Sequence, residues 1–204
     1  MIHPTIALIE QRISANKFDA SHAIADTEIE ELIRLATRAP TAYNLQNWRF
    51  IAVRSAEAKE KLRACAYGQA KVSDAAVTFI VCGVLPDHVG LGERLRPFVE
   101  SGYMRADMSS AWQEGARNQY ADPQTARDEA IRSASLGGAT LIYAAEALGF
   151  VSSAMSGFDA AAVAQAFGLA PDEVPVMLIA LGRAAPGNWP QKPRRPLSEV
   201  LQTL

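Results

Sequence analysis

Helices and strands that interleave at irregular intervals predict an α+β chain, a three-layer α/β/α sandwich around a central mixed sheet. Three observations carry that expectation. Val77 to Leu85 (VTFIVCGVL) is an unbroken β-branched and apolar run, the pattern of a strand buried on both faces. After Asp122-Pro123 a helical pattern continues to about Leu148 and stops at Gly149, the expected left-handed residue past a helix end. No βαβ unit repeats, which argues against a doubly wound parallel sheet. The 204 residues suit one sizeable core, so the chain is read as a single domain over 1–204.

The elements follow in order. Ile6, Ile9 and Ile13, with Ala7 and Leu8, form a short amphipathic helix capped by Thr5. Asp19 to Ala25 is a loop. Thr27 and Glu30 have capping-box spacing, and Ile29, Leu32, Ile33 and Ala36 then recur at helical period, up to Ala39 before Pro40. Arg49 to Val53 reads as a strand, and Ser55 caps a helix to about Cys65. From Pro86 to Tyr120 the pattern loosens into short amphipathic pieces rich in aromatics, a mobile helical cover. In the long helix, Gly137 and Gly138 each cost about 1 kcal/mol against alanine, so another backbone is expected to pack closely there. Phe150 to Ser153 is a short strand, Asp159 caps a helix ending near Gly168, and Val174 to Leu181 is the last core strand. The proline-rich tail over 183–204 is irregular.

Composition narrows the function. Twenty Lys and Arg stand against 22 Asp and Glu, so no strong basic field exists for nucleic acid or an acidic membrane surface. Cys65 and Cys82 match no metal or redox spacing, and Cys82 sits in an apolar run, which fits a reducing compartment. The start MIHPTIALIEQR is too polar for a signal peptide and no run is long enough to span a membrane. The expectation is a soluble, cytoplasmic protein. His3, His22 and His88 are dispersed without metal spacing. No GxGxxG follows a strand, and Ser14 to Lys17 satisfies SxxK without its companion motifs.

Two cationic clusters and one loop remain. QRISANKF carries Arg12, Ser14, Asn16 and Lys17, and QKPRRP carries Lys192, Arg194 and Arg195. Guanidinium forks with hydroxyl donors suit a phosphate monoester, at roughly 1.5–3 kcal/mol per charge-assisted bond. The plain alternative is two solvated surface clusters. APTAYNLQNW, Ala39 to Trp48, holds Thr41, Ala42, Asn44, Gln46 and Asn47, whose amides and free N–H groups suit a planar hydrogen-bonding ring.

Together these segments resemble the FMN-dependent nitroreductase family nearly end to end. RxSxxxF (Arg12, Ser14, Phe18) is similar to its opening motif and APTAYNLQNW to its PSxxNxQPW. GQAKVSDAAVTFIV places Lys71 where a flavin-contacting lysine sits. SSAMSGFDAAAVAQAFGL is similar to its P-[IM]-x-G-F-D segment, and KPRRP to its closing K-x-R-x-P. The resemblance implies a mostly antiparallel sheet and a homodimer holding FMN in two interface clefts. By it, Arg12, Ser14, Asn16, Lys192 and Arg194 hold the phosphate, while Thr41, Ala42 and Asn44 reach the flavin from the partner. Lys71 lies at the edge where reduced flavin gathers negative charge, and Ala154, Met155, Ser156 and Gly157 line the ring through backbone groups. The glycine-containing helix lies in the dimer interface and the tail wraps the other subunit. NAD(P)H, bound transiently, passes hydride to flavin N5 and an electron-poor acceptor replaces it, with no side-chain acid. Tyr43, Tyr103, Trp112 and Tyr120 are candidates to face substrate; for each, simple packing is the alternative.

Three residues depart from the family pattern. Asn47 stands for a proline, Ile13 for a basic or polar residue, and Ser156 for a glutamate found in several nitroreductases. MSGFD is closer to relatives that reduce aldehydes or other small carbonyl compounds. The implied function is hydride transfer to nitroaromatics or quinones. Its alternatives are reduction of small aldehydes or activated alkenes, deiodination or flavin destruction on the same fold, flavin binding without turnover, and a module without flavin.

Overall fold

The computed structural model describes residues 2–204, and Met1 lies outside the described residues. Strands β1 (Trp48–Val53), β2 (Val77–Val84), β3 (Val151–Met155) and β4 (Glu173–Gly182) form one sheet in the order β1-β2-β4-β3. Every neighbouring pair is antiparallel. The sheet is therefore not mixed; an isolated bridge between Ser14 and Ser152 is its parallel contact. Two helices, α3 (Ala56–Cys65) and α4 (Ala70–Asp74), fill the β1–β2 connection. An odd number of chain reversals across that connection brings β2 back antiparallel to β1, a direction that strand composition does not encode.

Both faces of the sheet are covered. Ile80, Cys82, Leu178 and Ala180 pack with Leu62 of α3 and Val163 of α8 (Ala160–Phe167). Phe79, Val81, Ile179 and Leu181 pack with Leu32 of α2 (Asp26–Ala36) and Leu141 of α7 (Pro123–Ala147). Each fully buried Leu, Ile, Val or Phe among them contributes about 1.5–3 kcal/mol. Double coverage is why β2 reads as a continuous apolar run rather than an alternating one. Burial also pushes the Cys82 thiol up to about 12, as befits a small hydrophobe.

Several local expectations shift. Helix α1 spans Pro4–Gln11 and is capped by His3, whose Nδ1 accepts the Thr5 N–H at 3.3 Å, so Thr5 is not the cap and Ile13 lies past the end. Helix α2 starts at Asp26, which puts Thr27 inside the first turn; the Glu28 carboxylate accepts the Ala25 N–H at 2.9 Å instead of the Thr27–Glu30 pair. Segment 86–120 forms two helices, α5 (Leu91–Glu100) and α6 (Ala106–Gln119). Asp122, Ser55 and Asp159 cap α7, α3 and α8 as their types predict. In α7, Gly137 faces Phe50 and Trp48, and Gly138 faces Met177, so the glycine pair seats on the chain's own sheet rather than on another backbone. The close backbone approach is at Gly83, where a Cβ would lie 2.2 Å from the Ala130 carbonyl oxygen of α7.

The tail beyond Gly182 is mostly exposed, with Arg183, Ala185 and Asn188 half-buried, and carries one short helix, α9 (Leu197–Val200). Among the described residues no helix is long and apolar enough to cross a membrane, and no metal-binding group of His, Cys, Asp or Glu converges.

Candidate functional site

Strand β3 is an edge, and its outer side organises one half of the site. The segment after α1 runs along it: the Ala15 N–H donates to the Ser152 carbonyl at 2.9 Å. Strand alternation turns the N–H and C=O of Ala154 to that same outer side, past the point where the N-terminal segment leaves. Met155 points its side chain into the core, while Ala154, Ser156 and Gly157 are exposed. The Gly157 carbonyl accepts from Gln69 Nε2 at 2.7 Å, which ties this loop to the start of α4.

Lys71, on α4, reaches the same strand and donates to Ser153 Oγ at 3.1 Å. Burial lowers the pKa of its ammonium, and the nearby Lys192 ammonium lowers it further. The tail is brought there by Asn188. Its Oδ1 accepts the N–H of Asn16 at 2.7 Å and of Lys17 at 3.0 Å, and its Nδ2 donates to the Lys17 carbonyl at 2.8 Å. Asn188 thus joins the tail to the N-terminal segment, and Lys192 comes within Coulombic reach of Lys71. Among the described residues, Arg12, Lys71, Lys192 and Arg194 form no ion pair. Arg12 lies toward Glu146 of α7, whose carboxyl is raised by burial and only partly offset by that guanidinium. Arg194 turns back on its own segment, bonding Gln191 Oε1 at 2.8 Å, and Lys192 Nζ lies 5.7 Å from the Trp189 ring centroid. Asn16 Nδ2 is buried and has no hydrogen-bond partner.

The loop before β1 is the other half. Tyr43, Asn44 and Gln46 adopt φ of 52°, 57° and 49°, left-handed values that non-glycine residues hold only when surroundings over-determine them. Thr41 closes the loop, accepting the Asn44 N–H on its carbonyl at 3.2 Å and the Gln46 N–H on Oγ1 at 3.0 Å. Leu45 plugs it into a small apolar cluster with Leu91, Leu95, Met104 and Ala116. Asn44 stays exposed, whereas Asn47 turns inward and offers nothing to a ring outside.

Three of the four candidate substrate aromatics come together. Tyr43 meets Trp112 and Tyr120 edge-on, with centroids 5.9 and 6.3 Å away, and donates to Gln119 Oε1 at 2.9 Å. They fasten α6 to the loop. Burial raises the Tyr120 phenol pKa, with the carboxylate of buried Glu129 adding to the effect. Tyr103 stands apart, 79 % exposed beside Phe98. A cavity of about 370 Å³ is lined by Asn44, Arg94, Leu95, Phe98, Met104 and Trp112, between the loop and helices α5 and α6.

One chain does not unite the two halves. Lys71, Ser14 and 154–157 belong to the β3 edge, and Thr41, Ala42 and Asn44 lead into β1 at the opposite edge. Three strand spacings, about 14 Å, separate them. Asn188 and Ser153 escaped the sequence reading. Ser153 left a faint signal, as a hydroxyl pair within an apolar strand; Asn188 left none beyond its place in the irregular tail.

Relatives with known names share this architecture. The model of the nitroreductase family matches residues 9–183. The Bacillus subtilis protein YodC, provisionally named an NAD(P)H nitroreductase, is 32 % identical over 96 % of both chains. A provisionally named nitroreductase of Exiguobacterium sibiricum, solved in complex with FMN, superposes with a TM-score of 0.89 at 25 % identity, covering 100 % of this chain and 99 % of its own. The CLA biosynthesis enone reductase of Lactiplantibacillus plantarum is 30 % identical over 85 % of this chain and 82 % of its own. By the matched motifs, the shared sheet and the near full-length relatives, this chain belongs to the nitroreductase family and is an oxidoreductase of that class.

Proposed function

We propose that the protein is a homodimeric FMN enzyme that takes electrons from NAD(P)H and delivers them to an electron-poor acceptor such as a nitroaromatic or a quinone. The observation that carries the reading is a half-buried Lys71 with no ion-pair partner among the described residues and Lys192 within Coulombic reach, at the same β3 edge as an unpartnered, buried Asn16 amide nitrogen. Like charges drawn together at a half-buried place favour an anionic ligand, and a phosphate-bearing flavin fits that donor set.

Arg12, Ser14, Asn16, Lys192 and Arg194 would hold the phosphate. The backbone of Ala154, Met155, Ser156 and Gly157 would flank the ring, and Lys71 keeps an ammonium ready for negative charge on it. Thr41, Ala42 and Asn44 of a second copy would complete the cleft, since a single chain places them at the far sheet edge. When bound, FMN supplies a hydride-carrying centre at N5 that alternates between nicotinamide and acceptor. The cover formed by α5 and α6 excludes water, with Trp112 and Asn44 lining its cavity and Tyr43, Tyr103 and Tyr120 as the other candidates to meet substrate.

A second reading, reduction of activated alkenes or small aldehydes, is supported by the enone reductase relative and by the MSGFD segment. The test is direct. The purified protein should show an oxidised-flavin spectrum that NADH or NADPH bleaches without oxygen, and nitrofurazone or menadione should restore it. Arg12→Ala or Lys192→Ala should weaken FMN binding about tenfold or more, the equivalent of one charge-assisted bond. A protein that stays free of flavin in excess FMN overturns the proposal. Turnover of malonic semialdehyde or an enone, with neither nitrofurazone nor menadione reduced, favours the second reading.

A further inference from the structure

We propose that Asn47 is a positioning residue: its side-chain amide takes the place of its own backbone N–H in the β1–β2 ladder and so lets the chain break from the strand into the left-handed loop Tyr43–Gln46. Its consequence for ligand binding rests on the FMN reading above, whereas the hydrogen-bond pattern does not.

The register pairs Trp48 with Gly83, so Asn47 faces Val84. A hydrogen-bonded antiparallel pair exchanges two backbone bonds. Here the Val84 N–H donates to the Asn47 carbonyl at 2.9 Å, but the return bond into the Val84 carbonyl comes from Asn47 Nδ2, also at 2.9 Å. The main chain is thereby released one residue early. The Trp48 N–H folds back onto the Gln46 carbonyl at 3.0 Å, and Gln46 takes its φ of 49°. Asn47 is 6 % exposed, so water does not compete for the donor. Without that amide the Val84 carbonyl is left for the backbone N–H of residue 47 to reclaim. Doing so extends β1 and pulls Gln46 out of the left-handed region, and Asn44, exposed two residues earlier, moves with it.

Asn47→Ala and Asn47→Asp in the full chain test this by FMN affinity, read from flavin fluorescence, and by amide exchange in the FMN-free protein. A protonated aspartic acid can donate to the Val84 carbonyl and an ionised one cannot, and burial lifts its pKa into an accessible range. Asn47→Ala should bind FMN about fivefold or more weakly at every pH, with faster exchange at Trp48 and Gln46. Asn47→Asp should bind within about twofold of wild type near pH 5 and fall to the alanine level near pH 8. Asp87, Arg94 and Asp172 line the same cavity as Asn47, and they and the FMN phosphate are common to all three proteins. The ratio to wild type therefore isolates position 47. Wild-type affinity in Asn47→Ala, or a loss in Asn47→Asp that is flat with pH, overturns the clamp. Should Asn47→Ala not fold, the pH contrast within Asn47→Asp decides. Should wild type bind no FMN, the function reading falls, and unchanged exchange at Trp48 and Gln46 overturns the clamp on its own.

Discussion

Lys71 shows how a half-buried cation burdens the fold that holds it. Burial first, and then the Lys192 ammonium, depress its pKa. A group with a depressed folded pKa stabilises the protein above its unfolded pKa and loses that contribution as pH falls through the folded value. At neutral pH the charged Lys71 therefore weighs against the FMN-free fold. Lys71→Met should raise the melting temperature of the FMN-free protein at pH 7, with the gain shrinking as pH nears the ordinary lysine pKa of about 10.4, while weakening FMN binding. Parallel thermal melts and fluorescence titrations check both signs. Glu146 has the opposite shift, raised by burial against a partial offset from Arg12. Its contribution is present below its unfolded pKa and lost as pH rises through the folded one. Glu146→Gln should therefore stabilise at pH 7 and change little near pH 4, read by urea unfolding at the two pH values. Lys71 is singled out in the sequence because its segment matches a motif. Glu146, Ser153 and Asn188 are not, since their importance lies in neighbours distant in sequence: Arg12, Lys71 and the pair Asn16–Lys17.

At the scale of elements, type and order were legible and direction was not. The β2 run, the Asp122 and Asp159 caps and the Gly149 stop are local chemistry, and they fall where their residue types place them. The all-antiparallel sheet follows from how many times the chain reverses between strands, which no strand sequence records. The glycine pair in α7 was read correctly as a site of close packing but assigned the wrong partner. It accommodates Phe50, Trp48 and Met177, and the tight backbone contact belongs to Gly83 against Ala130. Because the obstructing atom at Gly83 is a carbonyl oxygen, Gly83→Ala should cost about 3 kcal/mol or more. Gly68→Ala is the control, with nothing near its missing side chain, and should show only the smaller penalty of a left-handed alanine, about 1–2 kcal/mol. Equilibrium unfolding of the two variants separates clash from backbone strain.

At the scale of the molecule, the two halves of the site stand at opposite sheet edges, and apolar residues that need cover lie on surfaces outside the core. Ile6 and Ile9 of α1, Leu136 and Tyr143 of α7, and Leu197 and Leu201 of the tail are all exposed. A dimer that buries them should sediment at twice the chain mass, with a melting temperature that falls on dilution. A monomer at micromolar concentration would remove the completed cleft. The sequence by itself determined the residue types: which segments are helix or strand, which cations and amides the chain can offer, and the family they match. Only the tertiary structure decided which of those groups meet. It joined both ends of the chain through Asn188, sent Asn47 inward and Asn44 outward, and set the loop and Lys71 three strands apart. The physical reason is that propensity and capping act within a few residues, whereas the meeting of distant charges depends on strand order and on backbone hydrogen bonds that close only when the whole sheet has formed.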